Sequence, residues 1–227
     1  MIKPFLHACK FAIFGREVRE RRILGGAARG LVMLIDPSAK TQRILGLDER
    51  EIQKTFVAFS RWAEALVDVG SSDAYYALFF RKHNAAGTVH LVDANPEFKP
   101  LQTRHFSINF PGSQLDARTA FVAPPGRQGE GTLLLSRDMP LAGRRVFFKI
   151  DVDGWELDVL KSAEELLAGT ECRFIIETHS AELEHACIRF LESHGYRTSV
   201  IANAWWRRIV PEQRPIAHNR WLSAVRR

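Results

Sequence analysis

The sequence predicts an α/β protein with a mostly parallel sheet covered by helices on both faces. Three observations carry this. Strands at 66–69, 146–151 and 172–177 are mostly apolar, with only isolated charged residues, rather than alternating, as expected where both faces of a sheet are covered. Helical patterns at 74–83, 155–167 and 181–194 alternate with them. Finally, Asp68, Asp93, Asp151 and Glu177 each stand at the carboxyl end of a predicted strand. In a parallel sheet those ends share one edge, so the four carboxylates are expected along one crevice.

Taken in order, residues 1–47 read as an accessory segment and 48–227 as the main domain. The first part holds a loop around Gly25, Gly26 and Gly30, a short strand at 31–35 ended by Asp36 and Pro37, and a second strand at 43–47. A helix capped by Asp48 runs toward Ala65, with Ile52, Phe56, Phe59 and Ala63 on one face. Strand 66–69 then turns at Gly70–Asp73 into helix 74–83. Strand 88–93 is followed by a helix starting at Pro96, where the missing N–H costs nothing. Residues 103–143 are the least regular, with one strand at 119–123 before Pro124, Pro125 and Gly126. After strand 146–151, helix 155–167, strand 172–177 and helix 181–194, the chain stops its helix at Gly195. Strands at 196–201 and 219–225 lack an intervening helix and predict an antiparallel hairpin at the sheet edge. Their connection carries Trp205, Trp206, Arg207 and Arg208, which could stack on a sugar and bind an acidic group.

A chain of 227 residues suits one domain with a sizeable core. No apolar run is long enough to span a membrane. Cys9, Cys172 and Cys187 form no metal, redox or disulfide spacing, so reduced thiols and a cytoplasmic location are expected. The net charge of +6 is unevenly spread: residues 1–30 hold seven Lys/Arg against two Glu, and residues 203–227 six Arg against one Glu. The middle is therefore net acidic, which argues against nucleic acid as a partner and leaves peripheral membrane contact to the basic termini.

The chemistry is read from the first turn and the strand ends. Gly70 lets the backbone approach a ligand, and the following helix start offers unpaired N–H groups. Asp93 follows Asp68 at roughly the 20-residue offset at which a strand-end acid binds ribose hydroxyls. The turn has only the first glycine of a dinucleotide fingerprint, and Asp73 would repel a pyrophosphate. A ribose ligand without phosphate fits better, and S-adenosylmethionine is the expected cofactor.

Four stretches then carry a resemblance: VDVGSSDAYY (67–76), LVDANP (91–96), KIDVDGWELDVL (149–160) and IIETH (175–179). The third is the most specific; ARGLVM (28–33) and HNRWL (218–222) add flanking likeness. The chain resembles the FkbM-type family of class I S-adenosylmethionine-dependent methyltransferases. The resemblance implies a Rossmann-like, mostly parallel seven-stranded sheet with an antiparallel last strand. It implies that Asp68, Gly70, Ser71, Ser72 and Asp73 meet the methionine part of the cofactor, and Asp93 with Ala94 its ribose. Asp151, Asp153, Glu177 and His179 would line the acceptor pocket. It further implies O-methylation of a carbohydrate or other small hydroxylated acceptor. His179 is the expected base, with Glu177 or Asp151 orienting it. A divalent cation held by Asp151, Asp153 and His179 is the disfavoured alternative, and no metal ligand is assigned. Ala74 replaces a frequent glycine, Asp153 a usual Glu, and no acid follows 119–123 to hold adenine. These departures keep a rival in view: a catalytically silent binding or scaffolding subunit with this fold.

Overall fold

In the computed structural model, which describes residues 11–203, 218 and 220–227, alternate residues of the central strands build two cores, one on each face of a seven-stranded sheet. On β3 (Ala65–Val69), Ala65, Val67 and Val69 face one core and Leu66 the other. On β8 (Arg145–Ile150), Val146, Phe148 and Ile150 divide from Phe147 in the same way. Completing the sheet are β4 (Thr88–Asp93), β5 (Asp116–Thr119), β9 (Glu171–Thr178), β10 (Tyr196–Ile201) and β11 (Arg220–Arg226), in the order β10-β11-β9-β8-β3-β4-β5. β11 is antiparallel to both neighbours, while β9, β8, β3, β4 and β5 pair in parallel. This is the expected mostly parallel sheet with an antiparallel last strand. β10 forms the edge, and β11 sits one place inward.

One core lies under α6 (Glu156–Ser162) and α7 (Ala181–Ser193). The other lies under α2 (Arg50–Trp62) and α3 (Tyr75–His83), where Phe56 packs 4.8 Å from both Phe79 and Phe147. The same core takes in Met33 and Ile35 from the antiparallel hairpin of β1 (Arg19–Arg22) and β2 (Val32–Ile35), and Phe106 from α4 (Phe98–Asn109). Two short parallel strands, β6 (Phe121–Val122) and β7 (Thr132–Leu133), and the single turn α5 (Leu135–Asp138) fill the stretch before β8.

Four local expectations are corrected. The stretch expected as a strand at 43–47 belongs instead to a helix, α1 (Pro37–Leu45). Asp36 accepts from Ser38 N at 2.7 Å, Pro37 opens the first turn, and Gly46 in the left-handed region closes the last. Asp48 caps nothing: α2 begins after Glu49, and Asp48 accepts from Arg43 Nε at 2.7 Å. The helix expected from Pro96 is α4, which runs on into the stretch expected to be least regular. That stretch also holds β5, and the sheet strand ends at Thr119, where the sequence reading began it. The helix expected over 155–167 is α6 followed by a 3₁₀ turn, Glu164–Ala168. Trp205–Arg208 lie outside the described residues. Among the described residues no helix is long and apolar enough to cross a membrane, and Cys172 and Cys187 are free and buried.

Candidate functional site

The strand order reverses between β3 and β8, and there a cavity of about 530 Å³ opens at the carboxyl ends of the strands. Gly70, Ser71, Ser72, Asp73, Asp93, Ala94 and Asp151 line it, as the sequence reading expects of a ligand crevice. Asp68, Glu177 and His179 are not on its surface; all three stand behind it, with side chains almost wholly buried.

The turn after β3 is shaped by the protein's own backbone. A Cβ on Gly70, whose φ is +74°, would meet the Asp151 carbonyl oxygen at 1.7 Å. Glycine is therefore required for the close approach of two strand ends, before any ligand is considered. Ser72 and Ala74 also adopt left-handed backbone, at φ 44° and 65°, so Ala74 stands where glycine is cheaper. Ser72 N donates to Asp93 Oδ2 at 2.8 Å and Asn95 N to Asp93 Oδ1 at 2.9 Å. A carboxylate offers about four acceptor sites, so the fixed Asp93 retains two for a vicinal diol. Gln102 braces the turn by donating to Ser71 Oγ (3.1 Å) and the Ser72 carbonyl (2.9 Å).

Asp73 is buried yet strongly compensated. Lys40 Nζ lies 2.6 Å from it, and Arg43 Nη1 reaches both oxygens at 2.8 and 2.6 Å. Burial opposes ionisation, but Arg43 and Lys40 outweigh it and hold the carboxyl well below the usual carboxylate range.

The other side of the cavity has more acids than cations. Lys149 is buried, 3.6 Å from Asp68, 3.2 Å from Asp151 and over the Tyr76 ring. Burial alone would lower its pKa, but Asp151 and Asp68 raise it above the ordinary value. Asp68 is pushed up to about 7, chiefly by burial, against the pull of Lys149. Glu49, hydrogen-bonded to the Tyr76 hydroxyl, is also raised, first by burial and then by Asp48, Glu177 and Asp151.

His179 is held by a hydrogen bond at Nδ1, while Nε2 lies only in ion-pair range of two carboxylates. Nδ1 is hydrogen-bonded to the fully buried Glu156, which also accepts from Gly154 N at 3.1 Å. Nε2 stands 3.0 Å from Asp153 and 3.7 Å from Asp151. Burial lowers the imidazole pKa, but Glu156, Asp151 and Asp153 together raise it. Asp151, Glu177 and His179 bring potential ligand atoms within 4.8 Å of one another. A divalent ion there would face the Lys149 ammonium, already 3.2 Å from Asp151.

The sequence reading missed Lys40, Arg43, Glu49, Phe121, Lys149 and Trp155, all of which line the cavity. Phe121 and Trp155, partly exposed and edge to face at 4.9 Å, offer flat apolar surface suited to a purine. Only Lys149 and Trp155, embedded in the 149–160 motif, carried any signal. The others come from elements whose approach to the cavity depends on long-range packing.

Residues 132–198 match the methyltransferase FkbM domain, and that span includes the 149–160 and 175–179 motifs. A precorrin-6y C5,15-methyltransferase from Geobacter metallireducens superposes with a TM-score of 0.54 at 16% identity, covering 78% of this chain and 88% of that one. This is the class I methyltransferase fold. An rRNA methylase from Streptococcus thermophilus shares this fold with a TM-score of 0.52 at 13% identity, over 79% of this chain and 97% of that one. So does an O-methyltransferase from Bacillus cereus in complex with SAH, with a TM-score of 0.51 at 11% identity, over 77% and 81%. No curated protein matches the sequence. The FkbM resemblance is thus met by the family's own domain over its most specific motif. With the methyltransferase fold, it supports the coarse assignment of an S-adenosylmethionine-dependent methyltransferase. Neighbours with such different acceptors leave the acceptor to be argued from the site.

Proposed function

We propose that the protein methylates a hydroxyl group of a carbohydrate or another small acceptor. The observation that carries this reading is the Glu156–His179 hydrogen bond, which holds the imidazole Nε2 3.7 Å from Asp151 on the cavity wall. Bound S-adenosylmethionine supplies an electrophilic methyl group on a sulfonium. The acceptor oxygen forms a bond to that carbon as the carbon–sulfur bond breaks, and its proton must leave at the same time. Asp151 on the wall is positioned to accept the hydroxyl hydrogen bond and then its proton, with His179 Nε2, 3.7 Å behind it, as the group to which that proton can pass. Glu156 fixes the ring so that Nε2, not Nδ1, faces the carboxylates. Lys149 gives Asp151 a counter-charge. The fixed acceptor sites of Asp93 suit the ribose diol, and positioning of donor and acceptor is the larger share of such catalysis.

Titration calorimetry with S-adenosylhomocysteine tests the donor half: binding is expected, and Asp93→Ala should abolish it. No binding by well-folded protein would sink the proposal. Turnover assays on hydroxylated acceptors test the other half. His179→Ala should cut the rate by about 10²–10⁴-fold, the usual contribution of a general base, while S-adenosylhomocysteine binding persists. Binding without turnover on any acceptor would instead favour the silent binding subunit.

A further inference from the structure

We infer that Lys40 and Arg43 form a carboxylate-binding subsite for the amino-acid end of the cofactor, which makes α1 part of the cofactor site. The inference rests on the S-adenosylmethionine reading above.

Both residues line the cavity, although they lie 33 and 30 positions before Asp73 in the chain. Arg43 is held in one plane. Its Nε donates to Asp48 at 2.7 Å, its Nη1 to Asp73 at 2.6 and 2.8 Å, and its guanidinium lies 4.3 Å over the Tyr75 ring. Among the described residues Nη2 has no hydrogen-bond partner, so two N–H donors remain. Lys40 spends one of its three donors on Asp73 at 2.6 Å, and its side chain keeps 39% of its exposure. These spare donors stand beside the Gly70–Asp73 turn, whose Ser72 N–H holds the diol-binding Asp93 at 2.8 Å. One turn thus carries acceptors suited to a ribose on one flank and oriented cationic donors on the other. That polarity matches a nucleoside whose far end is a carboxylate, and a fixed guanidinium beside an ammonium is the donor set such a group selects.

Asp73 takes a different part from the one its position in the motif suggests. Its oxygens already accept three bonds from Lys40 and Arg43, and its side chain is 5% exposed. It is a positioning residue, acting on the cofactor through the two cations.

Two ligands separate this subsite from a merely structural ion cluster: S-adenosylhomocysteine, which has the amino-acid carboxylate, and 5′-methylthioadenosine, which lacks it. Both are titrated calorimetrically into wild type, Lys40→Ala and Arg43→Gln, with melting curves confirming folding. Lys40→Ala is expected to weaken S-adenosylhomocysteine by about tenfold and Arg43→Gln by more, as for lost charge-assisted hydrogen bonds. Affinity for methylthioadenosine should move by less than about twofold, since it has no group to lose. Equal loss for both ligands, or unchanged S-adenosylhomocysteine affinity in both variants, overturns the subsite. If wild type binds neither nucleoside, the donor reading falls and takes the subsite with it. If wild type binds both and the variants do not discriminate, only the subsite falls.

Discussion

The two sides of the cavity treat a buried aspartate in opposite ways. Asp73, on the turn side, meets two cations within 2.8 Å and is held as a carboxylate well below the usual range. Asp68, five residues earlier, shares a single Lys149 with Asp151 and is pushed up to about 7. Burial acts on both; the number of counter-charges decides the outcome. The turn side is therefore charge-balanced and held in one ionisation state. The side toward Asp151 has too few counter-charges, and Asp68, Glu49 and His179 are all displaced upward from their ordinary values. In the proposed reaction, the methyl donor would meet the first environment and the hydroxyl acceptor the second.

The contrast breaks most severely if its shared cation is removed. Lys149→Met should destabilise the fold by about 3–5 kcal/mol, the cost of orphaning a buried charge, read from denaturant melts. Adding Asp68→Asn should recover much of that loss; no recovery would mean that Lys149 matters for packing alone. Gly70→Ala comes next, at about 2 kcal/mol or more, because a Cβ is forced into left-handed backbone against the Asp151 carbonyl.

A third effect is a slope with pH. Asp68 binds its proton more tightly in the folded state, so its contribution is full below its unfolded value of about 3.9 and is lost as pH rises through about 7. Asp68→Asn should flatten that stretch of the stability profile. Asp73 has the opposite sign: its contribution is full above about 3.9 and is lost only as pH falls through its depressed folded value. The smallest effect belongs to Ala74. Relief of its left-handed backbone and the greater freedom of an unfolded glycine nearly cancel, so Ala74→Gly should shift stability by less than about 1 kcal/mol.

The sheet was legible because its strands carry their own signal. β4 and β10 match the expected 88–93 and 196–201 to the residue, since each is bounded by polar or glycine-rich turns. α1 was misread because Arg43–Leu47 is a short, partly apolar run that periodicity cannot assign, and only Asp36 and Pro37 mark a helix start. At the site, the strand-end position placed Asp93 and Asp151 on the crevice. The same rule put Asp68 there, one residue before the end of β3, where the side chain turns into the protein. Glu156 reads as one polar position on an apolar helix until His179, 23 residues later, is folded against it. Lys40 and Arg43 are likewise ordinary helix-surface cations until α1 meets the turn.

The contact between Gly70 and the Asp151 carbonyl has a mechanical meaning. With Gly70 N bound to the Val92 carbonyl (2.9 Å) and Asp151 N to the Val69 carbonyl (3.0 Å), the ends of three adjacent strands are locked together with no side chain between them. None of these strand ends can shift without dragging the others. The floor of the crevice is thus set when the sheet forms, and a ligand finds that part of its seat already machined.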